Sequence, residues 1–227
     1  MSKLQITNLF GLFIGLSFQQ LSAENNKRSF MLTLWDRPIE GKSYFYNTPN
    51  SKDLRKVDLQ EMTRSEMHSV DAQQIDIHLK KDDQVKKVIS VKLNPAFKCS
   101  IVILKIKRNG EYQAIVLEEH PQSLPFGSYL LYNHSKLSIE GSLGGAKVKL
   151  PANTPQLLSP IANNGEPLRM ELWRKTNKAK GKKEFLQRNT LSYRTNKYLI
   201  MLLYAEIKSN GRIHLKSKAI VNFKGTN

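Results

Sequence analysis

The sequence predicts an all-β fold: two tandem antiparallel β-sandwich modules behind an export signal. Three observations predict it. Several short runs alternate apolar and polar residues with a period of two, as half-buried strands do. Asn-Gly pairs and glycine clusters punctuate these runs. The order of these features in the first half of the chain returns in the second.

Residues 1–23 have the three-part layout of a signal peptide. Lys3 supplies the positive start, Leu9 to Phe18 the apolar run, and Leu21-Ser22-Ala23 a small residue at the cut. The run is shorter than the roughly 20 apolar residues a membrane span needs. No other segment is long and apolar enough, so no transmembrane span is expected.

Strands are expected at Phe30–Trp35, Gln74–Lys80 and Val88–Leu93. Ile101–Lys107 leads through Asn109-Gly110 into Tyr112–Leu117, a hairpin for which a type I′ turn is expected. In the second half Leu168–Arg174 alternates, and Phe185–Tyr193 is a weaker strand. Tyr198–Lys208 runs through Asn210-Gly211 into Ile213–Lys216, and Ala219–Phe223 closes the chain. Leu54–Met67 is charged and has room for one helical turn.

Three landmarks pair the halves. Lys42–Asn47 answers Gly127–Asn133, each with Ser-Tyr and then Tyr-Asn; Gln74–Lys80 answers Leu168–Arg174; Cys99–Tyr112 answers Tyr198–Ile213. The expected modules are residues 24–119 and 120–227, divided near the two prolines of His120–Pro125.

Ser128-Tyr-Leu-Leu-Tyr-Asn133, followed by Gly141-Ser-Leu-Gly-Gly145 and Leu150-Pro151, resembles a pattern in uncharacterised secreted bacterial proteins with paired Ig-like sandwiches. That resemblance implies a fold and a location, and no activity. Thr154-Pro155-Gln-Leu157 followed by Leu168-Arg169 is similar to a signature of periplasmic pilus chaperones. Here Gln156 replaces the second proline, and the match lies in the second half. This likeness implies an assembly factor that grips extended peptides by strand addition.

Catalytic and metal signatures are missing from the sequence. Ala146 separates Gly145 from Lys147, and a strand pattern follows, so the glycine cluster reads as a hairpin turn instead of a phosphate loop. The five histidines show no ligand spacing, and Cys99, the only cysteine, sits in an apolar run where a buried, inert thiol is expected. No Gly-x-Ser-x-Gly elbow occurs. Glu118 and Glu119 are neighbours on a strand and point to opposite faces. We therefore expect a non-enzyme without cofactor or metal. The single cysteine also favours a bacterial periplasm or exterior over a disulfide-stapled secreted domain.

The net charge is +17, and it is uneven. Residues 24–119 carry 17 basic and 14 acidic side chains, and residues 120–227 carry 18 and 5, so the halves differ as +3 and +13. Such a field favours anionic partners. The densest run holds Arg174, Lys175, Lys178, Lys180, Lys182 and Lys183, a candidate anion-binding loop between two strands. The run has no interleaved aromatic residues, which with export argues against nucleic acid. The expected function is a periplasmic or secreted, non-catalytic envelope protein that contacts an anionic polymer or an exported protein. The alternative is the chaperone-like factor.

Overall fold

A computed structural model describes residues 27–120, 122–175, 183–209 and 211–224. The expected export signal, residues 1–23, lies outside these residues. Among the described residues all regular structure is strand, in four sheets of four strands.

Sheet I has the order β4 (His68–Val70), β1 (Arg28–Leu34), β7 (Cys99–Ile106), β8 (Tyr112–Glu118). Sheet II has β3 (Arg55–Val57), β2 (Lys42–Asn47), β5 (Gln74–Lys81), β6 (Gln84–Lys92). Sheet III has β12 (Pro155–Leu158), β9 (Tyr129–Asn133), β15 (Lys197–Ile207), β16 (Ile213–Phe223). Sheet IV has β11 (Ala146–Leu150), β10 (Ile139–Leu143), β13 (Pro167–Lys175), β14 (Lys183–Ser192). Adding eight to each strand number of sheets I and II gives sheets III and IV.

This order corrects one landmark. Strand β2 holds the place of β10, and β9 that of β1, so Lys42–Asn47 and Gly127–Asn133 are not counterparts. Tyrosine-rich short strands recur because they fit a half-buried pleat, whatever their sheet position. The other two pairings stand: β5 with β13, and β7 with β15.

The sheets are also not purely antiparallel. Strands β1 and β7 run parallel, as do β9 and β15. A parallel pair needs a long crossover, and here the strands of the facing sheet supply it. The segment 54–67 forms no helical turn. It holds β3 and then follows β1, with Met62 N donating to Leu34 O at 2.9 Å and Ser65 N to Leu32 O at 2.8 Å.

Sheets I and II enclose one core, which includes Phe30, Leu32, Tyr46, Ile75, Ile77 and Val102. Sheets III and IV enclose another, with Leu131, Ile139, Leu143, Met170, Leu172 and Met201. A third apolar cluster joins the two pairs. It sets Ile101, Ile103 and Leu117 of sheet I with Leu130, Ile200 and Leu202 of sheet III. Sheets I and III are therefore covered on both faces. Strand β7 sends Val102 and Leu104 one way and Ile101 and Ile103 the other. This double burial explains why Ile101–Leu104 and Leu199–Leu203 are apolar without alternation.

A polar network seals one side of the join. Glu119 is 3% exposed; it ion-pairs with Arg64 and accepts from Tyr198 Oη at 2.5 Å. Asn222 Nδ2 donates to Tyr198 Oη at 2.8 Å. On another part of the join Lys218 Nζ donates to the Trp35 carbonyl and lies 2.9 Å from Glu61 and 3.2 Å from Asp36.

The turns refine the hairpin expectations. Gly144 and Gly145 have φ of 52° and 83° and form a two-residue turn between Leu143 and Ala146, so the type I′ turn is here. At Asn109-Gly110 only the glycine has positive φ. Lys107 N donates to Glu111 O and Gly110 N to Lys107 O, which makes a three-residue loop. The same two bonds recur from Lys208 to Arg212. Gly141 serves close approach: a Cβ there would lie 2.2 Å from the carbonyl oxygen of Glu171.

Candidate functional site: an aromatic and cationic sheet face

Sheet IV turns Leu143, Val148, Leu168, Met170 and Leu172 inward. Its other face carries the alternate residues. On β13 these include Arg169, Glu171 and Trp173, and on β11 Lys147 and Lys149, both exposed.

A bulge interrupts the pairing of β13 with β14. Leu172 opposes Gln187, but Trp173 opposes Phe185. The extra residue, Leu186, is buried in the core. The bulge therefore re-aims β14 so that Phe185 stands beside Trp173 on the outer face. Their ring centroids lie 6.1 Å apart at 66°. Phe185 is 48% exposed. Lys183 Nζ lies 4.2 Å from the Trp173 ring centroid, and the Arg188 guanidinium 4.0 Å from that of Phe185. Two aromatic rings are thus bracketed by two cations, the geometry of cation–π contact.

The strand ends beneath the basic run are internally paired. Arg174 Nε and Nη2 each lie 2.8 Å from Glu184 Oε2. Lys175 Nζ lies 3.0 Å from Glu140 Oε1. That contact, first among its causes, holds the Glu140 carboxyl below its ordinary value. Glu171 Oε1 takes Arg169 at 2.8 Å and Arg188 at 3.5 Å. Of the six sequence candidates, Arg174, Lys175 and Lys183 are therefore placed at the base of the β13–β14 connection, each with a partner. Lys178, Lys180 and Lys182 lie outside the described residues.

The sequence reading missed Trp173, Phe185 and Arg188. The run contains no aromatic residue, but an aromatic residue flanks it on each side. Antiparallel pairing brings those flanks together, and that was the available signal. The half-exposed Phe185 ring and the partly buried Trp173 ring beside it can meet the apolar face of a sugar ring while the cations meet carboxylate, sulfate or phosphate.

Other chemistry-bearing residues lie apart. Cys99 is buried, and burial, then the charge of Glu119, pushes its thiol up to about 11. Among the described residues no group of three His, Cys, Asp or Glu side chains is placed to hold a metal ion. Among them, too, no helix is long and apolar enough to cross a membrane. No protein-family model matches the chain, and no curated protein matches it in sequence.

Proposed function

We propose that the chain is an exported, non-catalytic binding protein of a bacterial envelope. Its working parts are two Ig-like sandwich modules, residues 24–119 and 120–227, behind a signal peptide in residues 1–23. The second module binds an acidic polysaccharide through the outer face of sheet IV and the lysines of the β13–β14 connection. The observation that carries this reading is the Trp173–Phe185 pair bracketed by Lys183 and Arg188. The charge of the second half, +13 against +3, supports it by concentrating anions at that half.

Affinity electrophoresis in gels containing polygalacturonate tests the proposal. Changing Lys178, Lys180, Lys182 and Lys183 to Gln weakens retention and flattens its salt dependence, because fewer counterions are released. Trp173→Ala weakens binding roughly tenfold, about 1.4 kcal/mol of lost apolar contact, and leaves the salt dependence unchanged. A Trp173→Ala protein that binds as the parent does removes the stacking surface. Equal retention by polyphosphate, insensitive to Trp173, assigns the site to phosphate polymers instead.

A further inference from the structure

The two sheet pairs leave a cleft of about 1230 Å³ beside their join. One wall is the segment 62–67, which follows the edge of sheet I into β4. The opposite wall is the end of β16, at the edge of sheet III. Three of the six methionines in the sequence, Met31, Met62 and Met67, line this one cleft. Methionine is unbranched and polarizable, and surfaces rich in it adapt to apolar groups of varied shape. Met67 is 59% exposed and Val221 41%, so apolar surface reaches the mouth.

Strand β16 is eleven residues long and pairs only with β15. Long open edges invite strand addition, and lysines blunt them. Lys216 and Lys218 do so in the first part of β16, where Lys218 also reaches across to sheet I. The last five residues, Ala219-Ile-Val-Asn-Phe223, carry no charge. In an antiparallel strand the N–H and C=O of a residue point to one side, and successive residues alternate sides. The Val221 carbonyl accepts from Arg64 Nη1 at 3.1 Å. The backbone groups of Val221, and of Ala219 two residues earlier, therefore face away from β15 and into the cleft.

Arg64 is divided between tasks. It ion-pairs with Glu119, lies 5.2 Å from the Tyr198 ring centroid and caps Val221. Meanwhile Arg64 Nε and Glu119 Oε2 are buried without a hydrogen-bond partner. An incoming backbone N–H would replace Arg64 at the Val221 carbonyl. The guanidinium would then be released to Glu119, where a two-pronged pair satisfies both orphaned atoms. Charge narrows the occupant further. Arg64 and Glu119 pair with each other, which leaves Lys98 and Lys224 against Glu66 at the cleft, and the whole chain carries +17, which repels a second copy and favours an acidic partner.

We propose that this cleft takes an extended, apolar segment of an acidic partner protein. The segment adds as a strand to the edge of β16 at Ala219 and Val221, seats its side chains among the three methionines, and sets an acidic end near Lys98 and Lys224. This site is separate from the face of sheet IV and stands or falls without it.

The test is fluorescence anisotropy of a labelled Val-Thr-Val-Thr-Val-Asp-Glu peptide against the full chain. Saturable binding is expected. Methylating alternate peptide nitrogens along one edge abolishes it, and methylating the other edge leaves it intact, because only one edge faces β16. Met67→Gln, at an exposed position, weakens binding about tenfold with unchanged circular dichroism and unchanged polysaccharide retention. Absence of saturable binding, or equal loss from both methylation patterns, overturns the proposal. So does a peptide-free chain that sediments as a dimer or already protects the amides of residues 219 and 221 from exchange, since the edge would then be occupied. Peptide binding in a chain that ignores polysaccharide refutes only the reading of sheet IV.

Discussion

Asn133 shows how much one side chain can hold. It is fully buried at the end of β9. Its amide nitrogen lies 2.7, 3.0 and 2.9 Å from the carbonyls of Leu137, Leu150 and Pro151, so its two hydrogens serve three acceptors, one of them shared. Its oxygen accepts from Ser135 N at 3.0 Å and Ser135 Oγ at 2.7 Å. One amide therefore ties the loop after β9 to the end of β11. Asn133→Ala leaves several buried groups without partners, each costing about 1–3 kcal/mol before relaxation. We expect a loss of about 3 kcal/mol in urea unfolding. Asn133→Asp keeps the shape but not the donors, and falls similarly. A loss below about 0.5 kcal/mol, within the range of ordinary surface substitutions, would show that the loop does not depend on this residue. The sequence marked Asn133 only through a Tyr-Asn likeness to Tyr46-Asn47 that the strand order overturns. Its role was not legible, because its partners lie up to 18 residues away.

At the scale of the element, edges matter most. Strand β11 ends sheet IV, and the side chain of Gln156 closes part of it. Gln156 Oε1 accepts from Lys149 N at 2.8 Å, and Nε2 donates to Lys147 O at 3.0 Å. A side-chain amide thus imitates one unit of an added strand. The chaperone-like signature has proline here, which could make neither contact. Gln156→Ala is expected to speed hydrogen exchange at the Lys149 amide about tenfold with little change in global stability. Unaltered exchange would mean that the clasp does not protect this edge. The β13–β14 bulge belongs to the same scale. Each strand could be read from its own alternation, but the register shift that aims Phe185 beside Trp173 depends on how Leu186 fits the core.

The whole molecule depends on the join between sheets I and III, and pH acts on it. His134 lies beside Trp35, with ring centroids 5.3 Å apart, and its Nε2 is 3.2 Å from Lys105 Nζ. Burial, and then the charge of Lys105, lowers the affinity of its ring for a proton below the ordinary value of 6.5. Burial lowers His68 and His78 in the same way. The unfolded chain therefore binds protons that the folded chain resists. Stability is full above about pH 6.5 and declines as pH falls from there through the lower folded values. Thermal melts should show a falling Tm from about pH 7.5 to about pH 5.5, and His134→Gln should reduce the fall. A Tm that is flat across this range would remove histidine burial as a determinant.

The sequence alone determined that the chain is built of strands, because period-two alternation and turn residues are local properties of a pleated backbone. It also determined the asymmetry of charge and the unbroken apolar character of β7 and β15, which is the imprint of burial on two faces. The tertiary structure decided which strands are counterparts, that β1 pairs in parallel with β7, and that the two sheet pairs are joined by an apolar layer. It also decided that Trp173 and Phe185 form one surface and that Arg64, Glu119 and β16 border one cleft. These features rest on contacts between residues far apart in the chain, and local patterns of polarity carry no information about which distant strand a given edge will meet.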